Sequence, residues 1–149
     1  MTARVWGFAG VGALGLAAMG VVSPASALPP VEGCGDAPAG ATLTKTDGVC
    51  QLDFPVGTSN WTVPAGLTSL YAVIAGGGGG AYADGSSAGY SGSGGDVIYA
   101  DLTSAAAGSM TTIVVGDGGV SGDEPTDGED SSVTAGSTTT APGGLAGGF

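Results

Sequence analysis

The sequence predicts an all-β, sandwich-like domain with little or no helix. Several short runs alternate between apolar and polar residues, as in 67–75 and 96–102, and this is the period of strands that bury one face. Glycine, proline or Asp-Gly dipeptides separate the runs, and 32 of the 149 residues are glycine. The longest helical pattern is the four-residue run 105–108, which is too short to form a helix alone.

Residues 1–27 read as a secretory signal peptide. Arg4 supplies a positive charge, an uncharged apolar stretch follows, and Ala25-Ser26-Ala27 forms a small-residue cleavage site. We expect cleavage after Ala27 and a chain that is secreted or held in the cell envelope, with no membrane insertion afterwards. The alternative is an uncleaved anchor, because the apolar stretch is just long enough to span a bilayer.

Residues 28–51 are expected to form an N-terminal arm closed by a disulfide. Cys34 and Cys50 are the two cysteines of the chain, and an even number of cysteines in a secreted chain indicates pairing. Two free thiols are the alternative. The arm ends in a predicted hairpin, with Asp47-Gly48 as its two-residue turn.

Residues 52–149 are predicted to be one glycine-rich β domain. The predicted strands are separated by turns such as Pro64-Ala65-Gly66 and by glycine runs, above all Gly76 to Gly80. The strands are expected at 60–63, 67–75, 96–102, 110–115, 131–135 and 137–141. The run 76–80 is expected to be ordered because strands lie on both sides of it, and 82–95 is expected to be the more mobile loop.

Charge and motifs exclude most catalytic functions. The formal net charge is −11, which disfavours nucleic acid and anionic membranes as partners. The pattern Gly76-x-Gly78-x-x-Ala81 follows a strand but precedes no helix, so it cannot bind a dinucleotide as the Rossmann motif does. Gly85-Ser86-Ser87-Ala88-Gly89 resembles a nucleophile elbow, but the chain has no histidine to act as the base. We therefore expect a protein that is not an enzyme and uses no cofactor.

The acidic loop 117–130 is the one candidate metal site. Carboxylates on a glycine-bearing loop are ligands that Ca²⁺ accepts, and the candidate ligands are Asp117, Asp123, Asp127 and Glu129. The spacing departs from an EF-hand, because Pro125 stands at the third position of a loop that begins at Asp123. The alternative is an acidic loop that only contacts solvent.

The order of the motifs resembles a known family. Val63-Pro64-Ala65-Gly66 is followed by a strand that ends in polyglycine, and then by Ile113-Val114-Val115-Gly116-Asp117-Gly118-Gly119. This order is similar to the bacterial glycine-rich domain of secreted and cell-surface proteins, and more distantly to the glycine-rich region of anaplastic lymphoma receptor kinases and to phage tail-fibre adhesins. The resemblance implies a β-sandwich on which glycine runs pack as extended helices of the polyglycine type. It implies binding or structural roles and no catalytic residues.

The chain differs from that family at its end. Glycine occurs there only in pairs, as in Gly143-Gly144 and Gly147-Gly148, whereas the family continues into longer runs. The copy is therefore expected to be either short or truncated at its C-terminus.

These observations together predict a secreted, non-catalytic domain with a structural or adhesive role at the cell surface. Its ligand is not identified by the sequence. Tyr82 and Tyr90 lie within the glycine-rich loop and are the predicted contact residues, because tyrosine offers contact area at a low entropy cost. Alternatively, these rings pack onto the glycine segments. The competing functions are a calcium-binding module that uses the acidic loop and a disordered acidic spacer.

Overall fold

The fold is built from nine β-strands in two antiparallel sheets. The computed structural model describes residues 3–9, 33–83 and 89–148, and the predicted cleavage site after Ala27 lies outside them. The strands are β1 (Ala3–Ala9), β2 (Thr42–Thr46), β3 (Val49–Phe54), β4 (Gly57–Thr62), β5 (Leu67–Ala75), β6 (Val97–Asp101), β7 (Met110–Val115), β8 (Ser131–Ala135) and β9 (Ser137–Ala141). The prediction of an all-β sandwich is confirmed. Within the described ranges no helix is long and apolar enough to cross a membrane.

The two sheets pack face to face. The first has five strands in the order β2-β3-β1-β5-β6, and the second has four in the order β4-β7-β8-β9. β5 packs against β8 and β9, and β6 packs against β9. Alternate residues of β5 point into the interface, as the burial of every second residue from Leu70 to Ile74 shows. The buried core residues are Val5, Leu52, Phe54, Trp61, Val63, Leu70, Ala72, Ile74, Ala100, Leu102, Ile113, Val115, Val133 and Ala141.

The predicted hairpin and disulfide are both present in the N-terminal arm. β2 and β3 pair from Thr42↔Asp53 to Thr46↔Val49. Asp47 and Gly48 have φ of 51° and 79°, and positive φ at both central residues is what a type I′ turn requires. Cys34 and Cys50 form the disulfide, with their Cα atoms 5.6 Å apart.

β1 is an unexpected strand, because the sequence predicts a leader there. It lies between β3 and β5 and is antiparallel to both, pairing from Ala3↔Phe54 to Phe8↔Val49 on one side and from Arg4↔Val73 on the other. Val5 is only 3% exposed within the core. The N-terminal residues therefore contribute a central strand to the five-stranded sheet.

The glycine-rich segments form a compact array at one end of the sandwich, here called the glycine bundle. It consists of the extended segments 76–82, 90–96, 116–122, 126–130 and 142–147, and 76–82 lies at its centre. Each segment continues a strand: 76–82 follows β5, 90–96 leads into β6, 116–122 follows β7, 126–130 leads into β8, and 142–147 follows β9. The segment 90–96 is hydrogen-bonded within the bundle through Ser93 and Asp96, whereas residues 84–88 of the predicted mobile loop 82–95 lie outside the described residues.

Backbone hydrogen bonds join the central segment to its four neighbours. The distances from the donor nitrogen to the acceptor oxygen are 2.6 to 3.0 Å, and the bonds recur every three residues along each pair of segments. With the N–H donor named first, the pairs are Gly76 to Asp96 and Gly79 to Ser93, Gly77 to Glu129 and Gly80 to Thr126, Gly119 to Gly78 and Gly122 to Ala81, and Gly144 to Gly77 and Gly147 to Gly80. A period of three is that of a polyproline-type helix with three residues per turn. The expected polyglycine-type packing is therefore present in the described chain.

Glycine is required in this array because the backbones approach so closely. A Cβ built on Gly77 would overlap the carbonyl oxygen of Asp117, and one on Gly79 would overlap that of Leu145. Any side chain at these positions would push the neighbouring segment away and break its hydrogen bonds. The polyglycine run is thus ordered by backbone contacts, and this contradicts the disordered-spacer alternative for the described residues.

Candidate functional site

The acidic loop stabilises the glycine bundle. The Asp127 carboxylate accepts a 2.6 Å hydrogen bond from the Ala146 N–H, and the Asp130 carboxylate accepts one of 2.8 Å from the Gly143 N–H. Both donors belong to the neighbouring segment 142–147. Hydrogen bonds to an ionised acceptor are stronger than neutral ones, so these acidic side chains fix the last bundle segment in place.

The predicted calcium ligands do not converge in the described part of the chain. Glu129 accepts a 3.2 Å hydrogen bond from the Asp117 N–H, the Asp117 carboxylate accepts one of 2.8 Å from the Gly118 N–H, and Asp123 is exposed. No group of three acidic, histidine or cysteine side chains is arranged to hold a metal among the residues that the structure describes. Three of the four candidates accept hydrogen bonds from backbone N–H groups instead, namely Asp117, Asp127 and Glu129.

The two predicted contact tyrosines differ in exposure. They pair across an isolated bridge, in which the Tyr82 N–H donates to the Tyr90 carbonyl at 2.8 Å. Tyr82 is 7% exposed and Tyr90 is 53% exposed. Tyr82 therefore packs into the bundle, as the alternative interpretation expected, whereas Tyr90 remains available as a surface contact.

A second tyrosine pair lies on the outer surface of the five-stranded sheet. We call this surface the aromatic face and define it by Tyr71 and Val73 of β5 and by Val97 and Tyr99 of β6. The rings of Tyr71 and Tyr99 stack with centroids 5.4 Å apart. Val97 is 69% exposed and Tyr99 is 64% exposed, so large apolar side chains are presented to solvent side by side.

The register of β5 and β6 creates this face. Val73 is opposite Tyr99, and Tyr71 is opposite Asp101, so the two rings are diagonal neighbours within reach of each other. The sequence alternation places Tyr71 with Val73, and Val97 with Tyr99, on one side of their own strands. It does not show that β5 pairs with β6, and for that reason sequence reasoning missed the aromatic face.

Two titrating groups of β6 have shifted pKa values. The Thr103 N–H donates a 2.9 Å hydrogen bond to the Asp101 carboxylate, which lowers the pKa of Asp101 below its ordinary 3.8. Partial desolvation raises the pKa of the Tyr99 hydroxyl above 10.0, and the nearby Tyr71 and Asp101 add to the rise. The aromatic face is therefore bordered by a carboxylate that remains ionised at neutral pH.

A cleft of about 400 Å³ lies between the disulfide-bonded arm and β4. It is lined by Gly35, Asp36, Ala37, Pro38, Asn60, Trp61, Thr62 and Pro64. Trp61 is 4% exposed, and its indole N–H has no hydrogen-bond partner in the described structure. Asp36 is the one ionisable side chain of the lining.

The geometry defines a β-sandwich with a glycine bundle at one end and an apolar, aromatic outer surface on one sheet. Comparison with protein families gives a match to a family described as a glycine-rich domain, over residues 54–149. The matched region is more than half of the chain, and the chain belongs to this family. Comparisons with curated proteins and with solved structures give no match.

Proposed function

We propose that this chain is a secreted, non-catalytic domain with an adhesive or structural role at the cell surface. The observation that carries the proposal is the aromatic face, where Val97 and Tyr99 are more than 60% exposed beside the stacked Tyr71. Tyrosine is enriched where proteins bind partners, because its ring supplies contact area and its hydroxyl a hydrogen bond.

Several properties of the chain support an extracellular location. The Cys34–Cys50 disulfide is compatible with an oxidising compartment, where such bonds persist. The signal-like residues 1–27 would direct export. A formal net charge of −11 favours solubility and repels other acidic surfaces, so the proposed contact is made through apolar and aromatic side chains.

Binding of the full chain to cells of the producing strain tests the proposal. Cells that lack the gene are incubated with purified fluorescent protein, and the bound fraction is measured after sedimentation. We expect the double variant Val97→Ser/Tyr99→Ser to lose at least about tenfold in affinity, because interface anchors of this kind are worth about 1–2 kcal/mol each. Tyr90→Ser would show whether the exposed ring of the bundle adds to the contact.

The matched control is Met110→Ser, since Met110 is 66% exposed on the other sheet. It should leave surface binding unchanged. Equal binding by the wild type and the double variant would contradict the adhesive role of the aromatic face. Fractionation that recovers the native protein inside the cell would contradict the proposed location.

A further inference from the structure

The strand that forms the middle of the five-stranded sheet belongs to the segment that the sequence marks for removal. β1 runs from Ala3 to Ala9, and the predicted cleavage site follows Ala27. β1 alone joins β3 to β5. If the leader is cleaved, each of these two strands loses the partner along one edge.

The vacated space would be one strand wide. Neighbouring strands lie about 4.8 Å apart, so β3 and β5 would face each other across a gap of about 10 Å, too wide for direct hydrogen bonds. Both are antiparallel to β1 and hence parallel to each other. The Cys34–Cys50 disulfide joins β3 to the N-terminal arm, and β5 packs on β8 and β9 of the second sheet. Both strands therefore keep a contact that does not depend on β1.

The core would be opened at the same place. Val5 is opposite Leu52 on β3 and opposite Ala72 on β5. All three side chains are at most 3% exposed, and they form one continuous row across the sheet. Removing Val5 with the rest of β1 exposes Leu52 and Ala72. It also leaves unpaired backbone N–H and C=O groups along β3 and β5. A new strand can pair with these groups by β-augmentation.

We propose that the processed chain accepts an extended segment of another polypeptide in the space between β3 and β5. This inference rests on the proposed secretion of the chain. The segment is antiparallel to both strands and carries a basic residue followed by a β-branched aliphatic residue. The aliphatic side chain fills the position of Val5, and the basic one meets Asp53, which pairs with Arg4 at 3.1 Å.

Charge identifies the occupant as a different polypeptide rather than a second processed copy of this chain. After removal of the leader, Lys45 is the only basic residue of the chain. Lys45 is followed by Thr46 rather than an aliphatic residue, and it already lies within β2. The processed chain therefore does not offer the required basic–aliphatic pair.

The test uses the full gene expressed with export, followed by intact-mass measurement and titration of the purified protein. The ligand is the capped peptide Ala-Arg-Val-Trp-Gly-Phe-Ala, which has the sequence of β1, and calorimetry measures its affinity. We expect a chain that begins at Leu28 and binds one peptide. Replacing the valine that corresponds to Val5 by aspartate should weaken binding at least about tenfold, because a charge would be buried without a partner.

Charge exchange identifies where the peptide binds. Asp53→Lys in the protein should weaken binding of the β1 peptide by about threefold or more. A β1 peptide with Arg4→Glu should restore the affinity for this variant, because the two charges are then opposite again. Asp123→Lys makes the same change of charge on a distant exposed loop and should have no effect.

Three outcomes would overturn the proposal. The first is a purified chain that still begins at Met1, because the space is then filled by its own β1. The second is a processed chain that binds no peptide. The third is binding that ignores both the valine and the charge exchange, which would place the peptide on an outer sheet edge. Peptide binding is measured without cells, so failure of the surface-binding assay alone would affect only the proposed adhesive role.

Discussion

Two neighbouring buried polar groups are left without hydrogen bonds in the second sheet. Trp61 and Thr111 are opposite each other on β4 and β7, and neither the indole N–H nor the Thr111 hydroxyl has a partner within the described residues. An unpaired buried hydroxyl costs free energy that an apolar group of the same shape avoids. This residue pair is therefore a weak point of the core.

Thr111→Val is expected to keep or raise stability. The valine has the shape of the threonine, and the change removes an unsatisfied hydroxyl from a residue that is 1% exposed, so the free energy of unfolding should change by about 0 to +1 kcal/mol. Thr112→Val is the matched control. Its hydroxyl hydrogen-bonds with the Asn60 side chain at 2.9 Å, and its loss should cost about 0.5–1 kcal/mol. Urea unfolding measures both, and a clear loss of stability in Thr111→Val would contradict the unpaired state.

Asp101 is expected to contribute to stability in a pH-dependent way. Its pKa is lowered in the folded state by the hydrogen bond from Thr103. Its contribution is therefore present above the ordinary pKa of 3.8 and is lost as the pH falls through the lower folded pKa.

Thermal unfolding of Asp101→Asn and of the wild type should show this sign. Near about pH 6 the wild type should be the more stable, and the difference should shrink towards about pH 3. Asp123→Asn, which removes a charge from an exposed loop, controls for the change in net charge. A difference that grows in acid would show that the carboxylate is not stabilising.

At the scale of the element, the glycine bundle provides a sharp comparison between adjacent residues. A Cβ on Gly119 would overlap the Thr126 carbonyl oxygen, whereas a Cβ on Gly118 would lie 3.7 Å from the nearest atom, the Gly78 oxygen. Gly119→Ala should therefore destabilise the protein by about 1–3 kcal/mol or more. Gly118→Ala should be neutral or stabilising by about 0.4–1 kcal/mol, since it restricts the unfolded chain.

Urea midpoints of these two variants check the prediction. Both change one glycine to alanine in the same segment, so intrinsic propensity is matched and only the close contact differs. Equal destabilisation by both would mean that the segments do not pack as closely as the structure has them.

Strands with regular alternation were predictable from the sequence, and pairing between distant strands was not. The bounds of β5, β7, β8 and β9 agree with the prediction, because each is a short alternating or β-branched run that ends directly before a glycine or proline. β4 begins at Gly57, before the predicted start at Asn60, because pairing with β7 overrides the local turn signal at Pro55. β1 was missed because an apolar leader and a buried strand have the same composition.

The candidate sites were predictable only in part, for a related reason. The acidic residues of 117–130 are near in sequence, but in the structure Asp127 and Asp130 bind N–H groups of 142–147, a partner that spacing cannot show. Tyr82 and Tyr90 have similar glycine-rich neighbours in the sequence, yet the structure buries Tyr82 and exposes Tyr90. Exposure is decided by which bundle segments cover each ring, and hence by tertiary structure.

At the scale of the whole molecule, the bundle and the sandwich share the same chain segments. The central segment 76–82 directly continues β5, and the other four segments each adjoin one of β6 to β9. The hydrogen bonds of Gly77 and Gly80 to Glu129 and Thr126 therefore join segments next to the ends of β5 and β8, and the sandwich itself positions these strand ends. Opening the bundle would separate the strand ends that lie beside it.

We therefore expect the two parts to unfold in one cooperative transition. Native-state hydrogen exchange should give the amides of Gly77 and Gly80 the same opening free energy as those of Ile113 and Val115 in β7, because units that open together exchange with a common free energy. The exposed turn around Gly48 should exchange at much lower free energy and serves as the internal control. In Gly119→Ala the opening free energies of bundle and β7 amides should fall together. Bundle amides that open well below those of β7 would instead make the bundle a separate unit, and the central glycine run would then be held by local contacts alone.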